Sequence, residues 1–307
     1  MRLLATVFFV SIAVAGAQQQ PSDGFNWRRP ELPAGVRVIK DVTYAKAPEQ
    51  ELKLDLYLPA AKPEKPLPLI VWIHGGAWRA GSKEANPAAR FVDDGYASAS
   101  ISYRLSPVAT FPAQIHDCKA AIRWLRAHAE KYGIDPQRIA VWGSSAGGHL
   151  VAMVGTSGDV EELEGSLGHP LESSRVQAVV DYFGPTTFTK MDAAGSSMVH
   201  DDAKSPESLL VGGAIQEHPE LVRRADPITY VTSDDPPFLI VHGDKDPLVP
   251  HNQSELLAAA LKENGVEHTL RTAKGGGHGN GGDFTSPELV QMVKDFLDEK
   301  LGVSAEE

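Results

Sequence analysis

The chain has 307 residues, a formal net charge of −11 and a single cysteine, Cys118. A surface that acidic repels polyanionic nucleic acid, so no nucleic-acid partner is expected. One cysteine excludes an internal disulfide, and 42% hydrophobic residues leave stability to a packed core in a chain of a length that suits one α/β domain with insertions.

Residues 1–17 open with Arg2, continue with an apolar stretch from Leu3 to Val14 and end on the small residues Ala15, Gly16 and Ala17. That layout predicts a secretory signal peptide cleaved after Ala17, because the apolar run is shorter than the ~20 residues that cross a bilayer. A secreted or periplasmic location follows, with no stable membrane insertion after cleavage. Residues 18–35, polar and rich in Pro and Gly, are expected to form an N-terminal arm ahead of the main domain at 36–307.

The domain starts with two strand-like runs, V-R-V-I-K-D-V-T-Y-A and L-K-L-D-L-Y-L-P, the second alternating Leu with polar residues as a half-buried strand does. Continuous apolar runs follow at 67–74, 97–103, 139–143, 178–183 and 237–243. Runs without alternation suit strands buried on both faces of a mostly parallel sheet. Between them, Ile115, Cys118, Ile122, Leu125 and Ala129 recur at helical spacing, and 252–263 and 287–301 read as further helices. Strand–helix alternation gives the α/β class. The stretches 157–174 and 190–226, rich in Gly, Asp, Glu and Ser, break that alternation and are candidate cap insertions.

Four motifs sit at strand ends. H-G-G-A-W (74–78) follows a buried strand, and its glycines let Gly75 and Gly76 turn N–H groups toward a substrate oxygen. His74 is expected to brace that loop. G-S-S-A-G (143–147) fits G-x-S-x-G between a strand and a helix, so the middle residue, Ser145, is the candidate nucleophile. The N–H of Ala146 then joins Gly75 and Gly76 in the oxyanion hole. H-G-D-K-D-P-L-V-P (242–250) offers Asp244 and Asp246. The glycine turn and closing Pro-x-x-Pro favour Asp246 as the inward acid and leave Asp244 as a turn former. G-G-G-H-G (275–279) places His278 in a glycine-rich, mobile loop after the last strand. The order Ser145, Asp246, His278 is that of the strand–elbow–helix hydrolases, with His278 as base. Trp78 is a candidate to stack on a sugar or ferulate ring, against the alternative of a core residue; Tyr182 and Phe183 are candidates to line the acyl pocket. His200 and His218, in the second insertion, can at most touch substrate.

With H-G-G-A-W-R-A-G-S-K (74–83), G-S-S-A-G-G-H-L (143–150), D-Y-F-G-P-T (181–186), P-P-F-L-I-V-H-G-D-K-D-P-L-V-P (236–250) and G-G-G-H-G (275–279), the chain resembles the α/β-hydrolase esterases. It is most similar to the exported bacterial branch described as bifunctional feruloyl and acetyl-xylan esterase-like. The resemblance implies the α/β-hydrolase fold, the triad Ser145, Asp246 and His278, and no metal or organic cofactor. Ala77 stands where the hormone-sensitive-lipase-like group often carries a third glycine. The expected substrates are short acyl or hydroxycinnamoyl esters, small or linked to plant polysaccharide. A general short-chain carboxylesterase, a peptidase, an arylformamidase and a catalytically silent binding module are the alternatives.

Overall fold

Among the described residues, 31–303 of the computed structural model, eight strands form one sheet. They are β1 (Val36–Lys46), β2 (Glu51–Pro59), β3 (Leu67–Ile73), β4 (Ala97–Ile101), β5 (Ile134–Ser144), β6 (Ala178–Tyr182), β7 (Phe238–Gly243) and β8 (His268–Ala273). Their spatial order is β1-β2-β4-β3-β5-β6-β7-β8; β1, β2 and β4 pair antiparallel, and every neighbour from β4 onward is parallel. The helices are α1 (Ala113–Ala127), α2 (Ala129–Tyr132), α3 (Ala146–Thr156), α4 (Glu161–Glu164), α5 (Pro206–Val211), α6 (Pro219–Ala225), α7 (Asn252–Glu263) and α8 (Pro287–Leu301). This is the α/β-hydrolase fold. The expected signal peptide, 1–17, and residues 18–30 of the expected arm lie outside the described residues. No helix among the described residues is long and apolar enough to cross a membrane.

The unbroken apolar runs are explained by helices on both faces. Successive side chains on a strand point to opposite sides. Leu69, Val71 and Ile73 of β3 therefore join a core with α1, α3 and α7, while Ile70 and Trp72 join a second core against α8. Helix α8 shows how local sequence serves that packing. Ser286 caps it by accepting the Leu289 N–H, Pro287 fits the first turn, and Gly302 ends it at φ 64°. Its buried stripe, Leu289, Val293, Leu297 and Leu301, has i, i+4 spacing, each residue contributing about 1.5–3 kcal/mol.

One expectation changes at β2. Its alternating sequence predicts a half-buried strand, yet Asp55 on its polar side is fully buried. The Lys83 ammonium stands 2.8 Å from the Asp55 carboxylate, and the Asp41 N–H donates to the same oxygen at 2.8 Å, so the charge is compensated. Tyr57 packs under Ala89 and Val92, which cover that side of the strand.

The two insertions go to different places. The 157–174 stretch carries α4, whose Glu164 pairs with Lys119 (2.6 Å) and Arg123 (3.0 Å) on α1. The 190–226 stretch carries α5 and α6, and residues on it stand beside the carboxyl ends of the central strands, where an open α/β sheet places its sites.

Candidate active site

At the end of β5 the chain reverses sharply at Ser145 into α3. Ser145 has φ 57° and ψ −123°, a conformation that costs a non-glycine residue about 1–3 kcal/mol and lifts its hydroxyl clear of the sheet. Neighbours hold the turn: the Ser145 N–H donates to the Tyr182 carbonyl at 2.8 Å, and the Ser145 carbonyl accepts the His149 N–H at 3.0 Å. A Cβ on Gly147 would stand 2.1 Å from the Ile73 carbonyl oxygen, so only glycine lets α3 close on β3 here.

The structure brings Ser145, His278 and Asp246 together. The Ser145 hydroxyl donates to Nε2 of His278 at 2.9 Å, and Nδ1–H of His278 donates to Oδ2 of Asp246 at 2.7 Å. A carboxylate only accepts, so Asp246 keeps the proton on Nδ1 and leaves Nε2 free to take the serine proton. The glycine loop around His278 is tied down. Asp244 accepts the Gly275 N–H at 2.7 Å, and the Lys245 N–H donates to the Gly276 carbonyl at 2.8 Å. Between the two candidate carboxylates, Asp246 faces the imidazole and Asp244 anchors the loop that carries it.

Asp246 is wired on every side. Its Oδ1 accepts the Leu248 and Val249 N–H groups at 2.9 and 3.0 Å, and its side chain is fully buried. Burial pushes its carboxyl up, but hydrogen bonds from His242 and His278 outweigh that and hold it well below the usual carboxylate range. His242 is a partner that reading the sequence missed. Its Nε2–H donates to the Val249 carbonyl at 2.8 Å and stands 3.3 Å from Asp246 Oδ2, while Nδ1 accepts from the Ser254 hydroxyl at 2.7 Å. The available signal was its place four residues before Asp246 in H-G-D-K-D.

The H-G-G-A-W loop passes over the nucleophile. A Cβ on Gly75 would lie 2.6 Å from the Ser144 carbonyl oxygen and 3.2 Å from Ser145 Cβ, so the backbone approaches closely because no side chain intervenes. Gly76 has φ 111°, and Ala77 and Trp78 both have φ 54°, which curls the chain so that the Arg79 and Ala80 N–H groups each donate to the Gly76 carbonyl at 3.0 Å. His74 braces the loop: its Nδ1–H donates to the Gly75 carbonyl at 2.7 Å and its ring stacks on Tyr103 at 4.4 Å. Burial lowers its pKa to about 4, so the ring is neutral. Ala146 is the first residue of α3, where the N–H has no intrahelical acceptor and the helix dipole is positive. Gly75, Gly76 and Ala146 thus all border the cavity that opens above Ser145.

That cavity has a volume of about 390 Å³. Its lining corrects one of the three pocket expectations and takes the core alternative for another. Phe183 borders it and packs 4.6 Å from the His278 ring. Tyr182 does not border it: strand alternation sends its side chain with Val180 to the α8 face, against Trp142 and Phe284, and only its carbonyl serves the elbow. Trp78 borders the cavity but is only 1% exposed, packed on His149 (5.2 Å) and Phe188 (5.5 Å), which leaves no open face for a stacked sugar ring. Met198, His200, Pro206, Glu207, Leu248 and Val249 also line it. Four of these six come from the 190–226 insertion and none of the lining comes from 157–174. His218 is not among the lining residues.

The BD-FAE profile matches residues 54–261, which is more than half of the chain and includes the elbow and both candidate carboxylates. The chain belongs to the BD-FAE family. Relatives of this BD-FAE member include the esterase LipQ of Mycobacterium tuberculosis, 33% identical over 267 residues and 86% of this chain. The chain spans 62% of LipQ's own length. Among solved structures, a truncated carbohydrate esterase from gut microbiota is 37% identical, with a TM-score of 0.79, 87% of this chain covered and 96% of that one. An acetyl ester–xyloside bifunctional hydrolase from Caldicellulosiruptor lactoaceticus is 28% identical, with a TM-score of 0.68 over 83% of this chain and 90% of that one.

Proposed function

We propose that this BD-FAE family chain is a serine carboxylesterase, with Ser145 as nucleophile, His278 as base and Asp246 as its orienting acid. The observation that carries the reading is the unbroken chain of contacts from the Ser145 hydroxyl through His278 to Asp246, at 2.9 and 2.7 Å, beside the glycine loop. His278 takes the Ser145 proton as Oγ attacks the ester carbonyl, and Asp246 stabilises the imidazolium that forms. The tetrahedral oxyanion faces the N–H groups of Gly75, Gly76 and Ala146, where one donor is worth ~2.7–4 kcal/mol of transition-state stabilisation. His278 then protonates the leaving alcohol. Water, deprotonated by the same ring, hydrolyses the acyl-serine and releases the acid.

The substrates we propose are short acyl or feruloyl and acetyl esters of plant polysaccharides, supported by the carbohydrate-directed names of two structural neighbours. The N-terminal layout of residues 1–17 supports export to the periplasm or medium, tested by the mass of the mature N-terminus, expected at Gln18. For activity, the test is hydrolysis of p-nitrophenyl acetate, butyrate and longer esters, methyl ferulate and acetylated xylan, beside Ser145→Ala. Wild type is expected to exceed Ser145→Ala on the preferred ester by a factor on the order of 10⁴ or more. Equal rates on every ester would end the enzyme reading. Turnover of acetate esters without methyl ferulate would remove the feruloyl specificity and keep the mechanism.

A further inference from the structure

The cavity wall carries one charged device that the triad does not use. Among the described lining residues, Glu207 at the start of α5 is the single carboxylate, and it is only 3% exposed. Its Oε2 stands 3.1 Å from Nδ1 of His200, within ion-pair distance but not aligned as a hydrogen bond, and Oε2 has no hydrogen-bond partner among the described residues. His200 is equally enclosed, at 2% exposure, and is fixed by its other side. Its Nε2 lies 3.0 Å from the Leu248 carbonyl oxygen and 2.9 Å from the Ser196 hydroxyl, and its backbone N–H donates to Asp192 at 2.7 Å. A carbonyl oxygen only accepts, so Nε2 carries a hydrogen, and the Nδ1–Oε2 contact then needs one further proton between ring and carboxyl. Burial opposes a charged ring, but Glu207 more than offsets it and raises the His200 pKa.

A carboxylate can accept from several donors, so the His200 contact leaves Glu207 with spare capacity, and on an otherwise apolar wall such an acceptor costs stability until a further donor meets it. Met198, Leu248, Val249 and Phe183 beside it carry no donor side chains. The pair as a whole is close to neutral, so it does not select a cation; a neutral hydroxyl suits it better. Building on the esterase reading, we propose that Glu207, positioned by His200, is a specificity-determining residue that accepts a hydrogen bond from a free hydroxyl on the ester substrate. The enzyme then favours esters of hydroxyl-rich alcohols over hydrocarbon esters of similar size.

The test compares monoacetylated methyl xyloside with cyclohexyl acetate, a ring of similar size without free hydroxyls, in wild type and Glu207→Gln. Glu207→Gln keeps the shape and removes the charge. Its kcat/KM for the xyloside is expected to fall about ten- to hundredfold, while that for cyclohexyl acetate stays within about twofold. An equal fall on both esters, or no fall on either, overturns the assignment and leaves the esterase reading standing. Wild-type rates on both esters no higher than those of Ser145→Ala overturn both. If Glu207→Gln does not fold, the same ratio is read in Glu207→Asp, which keeps the charge but withdraws it by one methylene and is expected to lose preference for the xyloside in the same direction.

Discussion

Two clusters, each built around one carboxylate, face different ways in the molecule. Asp246, His242 and His278 meet beneath the cavity; Glu164, Lys119 and Arg123 meet beneath the 157–174 insertion. In both, the carboxylate is held by several hydrogen bonds. Lys119 also donates to the Ser157 carbonyl at 2.6 Å, Arg123 to the carbonyls of Glu164 and Leu167 at 2.9 Å each, and Ser174 to Glu164 at 2.9 Å. What separates them is where the spare atom points. His278 presents Nε2 to Ser145 and borders the cavity, whereas Lys119 Nζ and the two Arg123 Nη atoms donate into the 157–174 stretch that they pin. Burial of charge is therefore no sign of function by itself; access to a cavity is.

The sharpest way to break that contrast is Asp246→Asn. The amide can still accept the Leu248 and Val249 N–H groups but no longer enforces the His278 tautomer, so kcat on p-nitrophenyl acetate is expected to fall by ~10⁴ with the circular dichroism spectrum unchanged. A fall of less than tenfold would remove Asp246 from the catalytic assignment. Glu164→Gln should do the reverse. It leaves two buried cations without an anion, and urea denaturation is expected to show a loss of ~3–5 kcal/mol, while kcat/KM at 25 °C stays within about twofold. A catalytic loss with stability intact would contradict the structural role.

The third test concerns a buried carboxyl that has no cation at all. Among the described residues, Asp181, at the end of β6, receives only the Gly184 N–H at 2.9 Å, and burial pushes its pKa up from 3.8 to about 7. The folded state keeps this proton while the unfolded state releases it above about 4, so its contribution to stability is complete at low pH and is lost as pH rises toward about 7. In Asp181→Asn, which can still accept from Gly184, that decline should disappear. The variant is then expected to be more stable than wild type at pH 8, by at most ~4 kcal/mol, as read by denaturation at pH 4 and pH 8. Parallel pH profiles for the two proteins would show that the carboxyl is not held protonated.

Much of the fold was legible because its signals are local. Apolar runs without alternation mark each central strand, the i, i+4 stripe from Leu289 to Leu301 marks the last helix, and the glycines around Ser145 mark a turn that side chains would block. The chain order of Ser145, Asp246 and His278, each just beyond a strand, was sufficient to nominate the three residues that the structure brings together. Reading strand parity further would have turned Tyr182 away from the cavity, since it shares a face with Val180.

Other features were out of reach for a physical reason. Asp55 is written into an alternating strand as a solvent-facing residue, and Lys83, arriving from a distant loop, together with the Asp41 N–H makes its burial tolerable. Trp78 reads as platform or core, core being the commoner fate beside a buried strand, until His149 and Phe188 close around it. The two insertions are alike in composition, yet one is captured by cations on α1 and the other supplies His200 and Glu207 to the cavity wall. The sequence by itself determined the central strands, the long helices and the chain order of Ser145, Asp246 and His278, because these depend on neighbours along the chain. Which side chains face the cavity was decided only by tertiary structure, because that depends on the packing partners each segment meets across long stretches of chain.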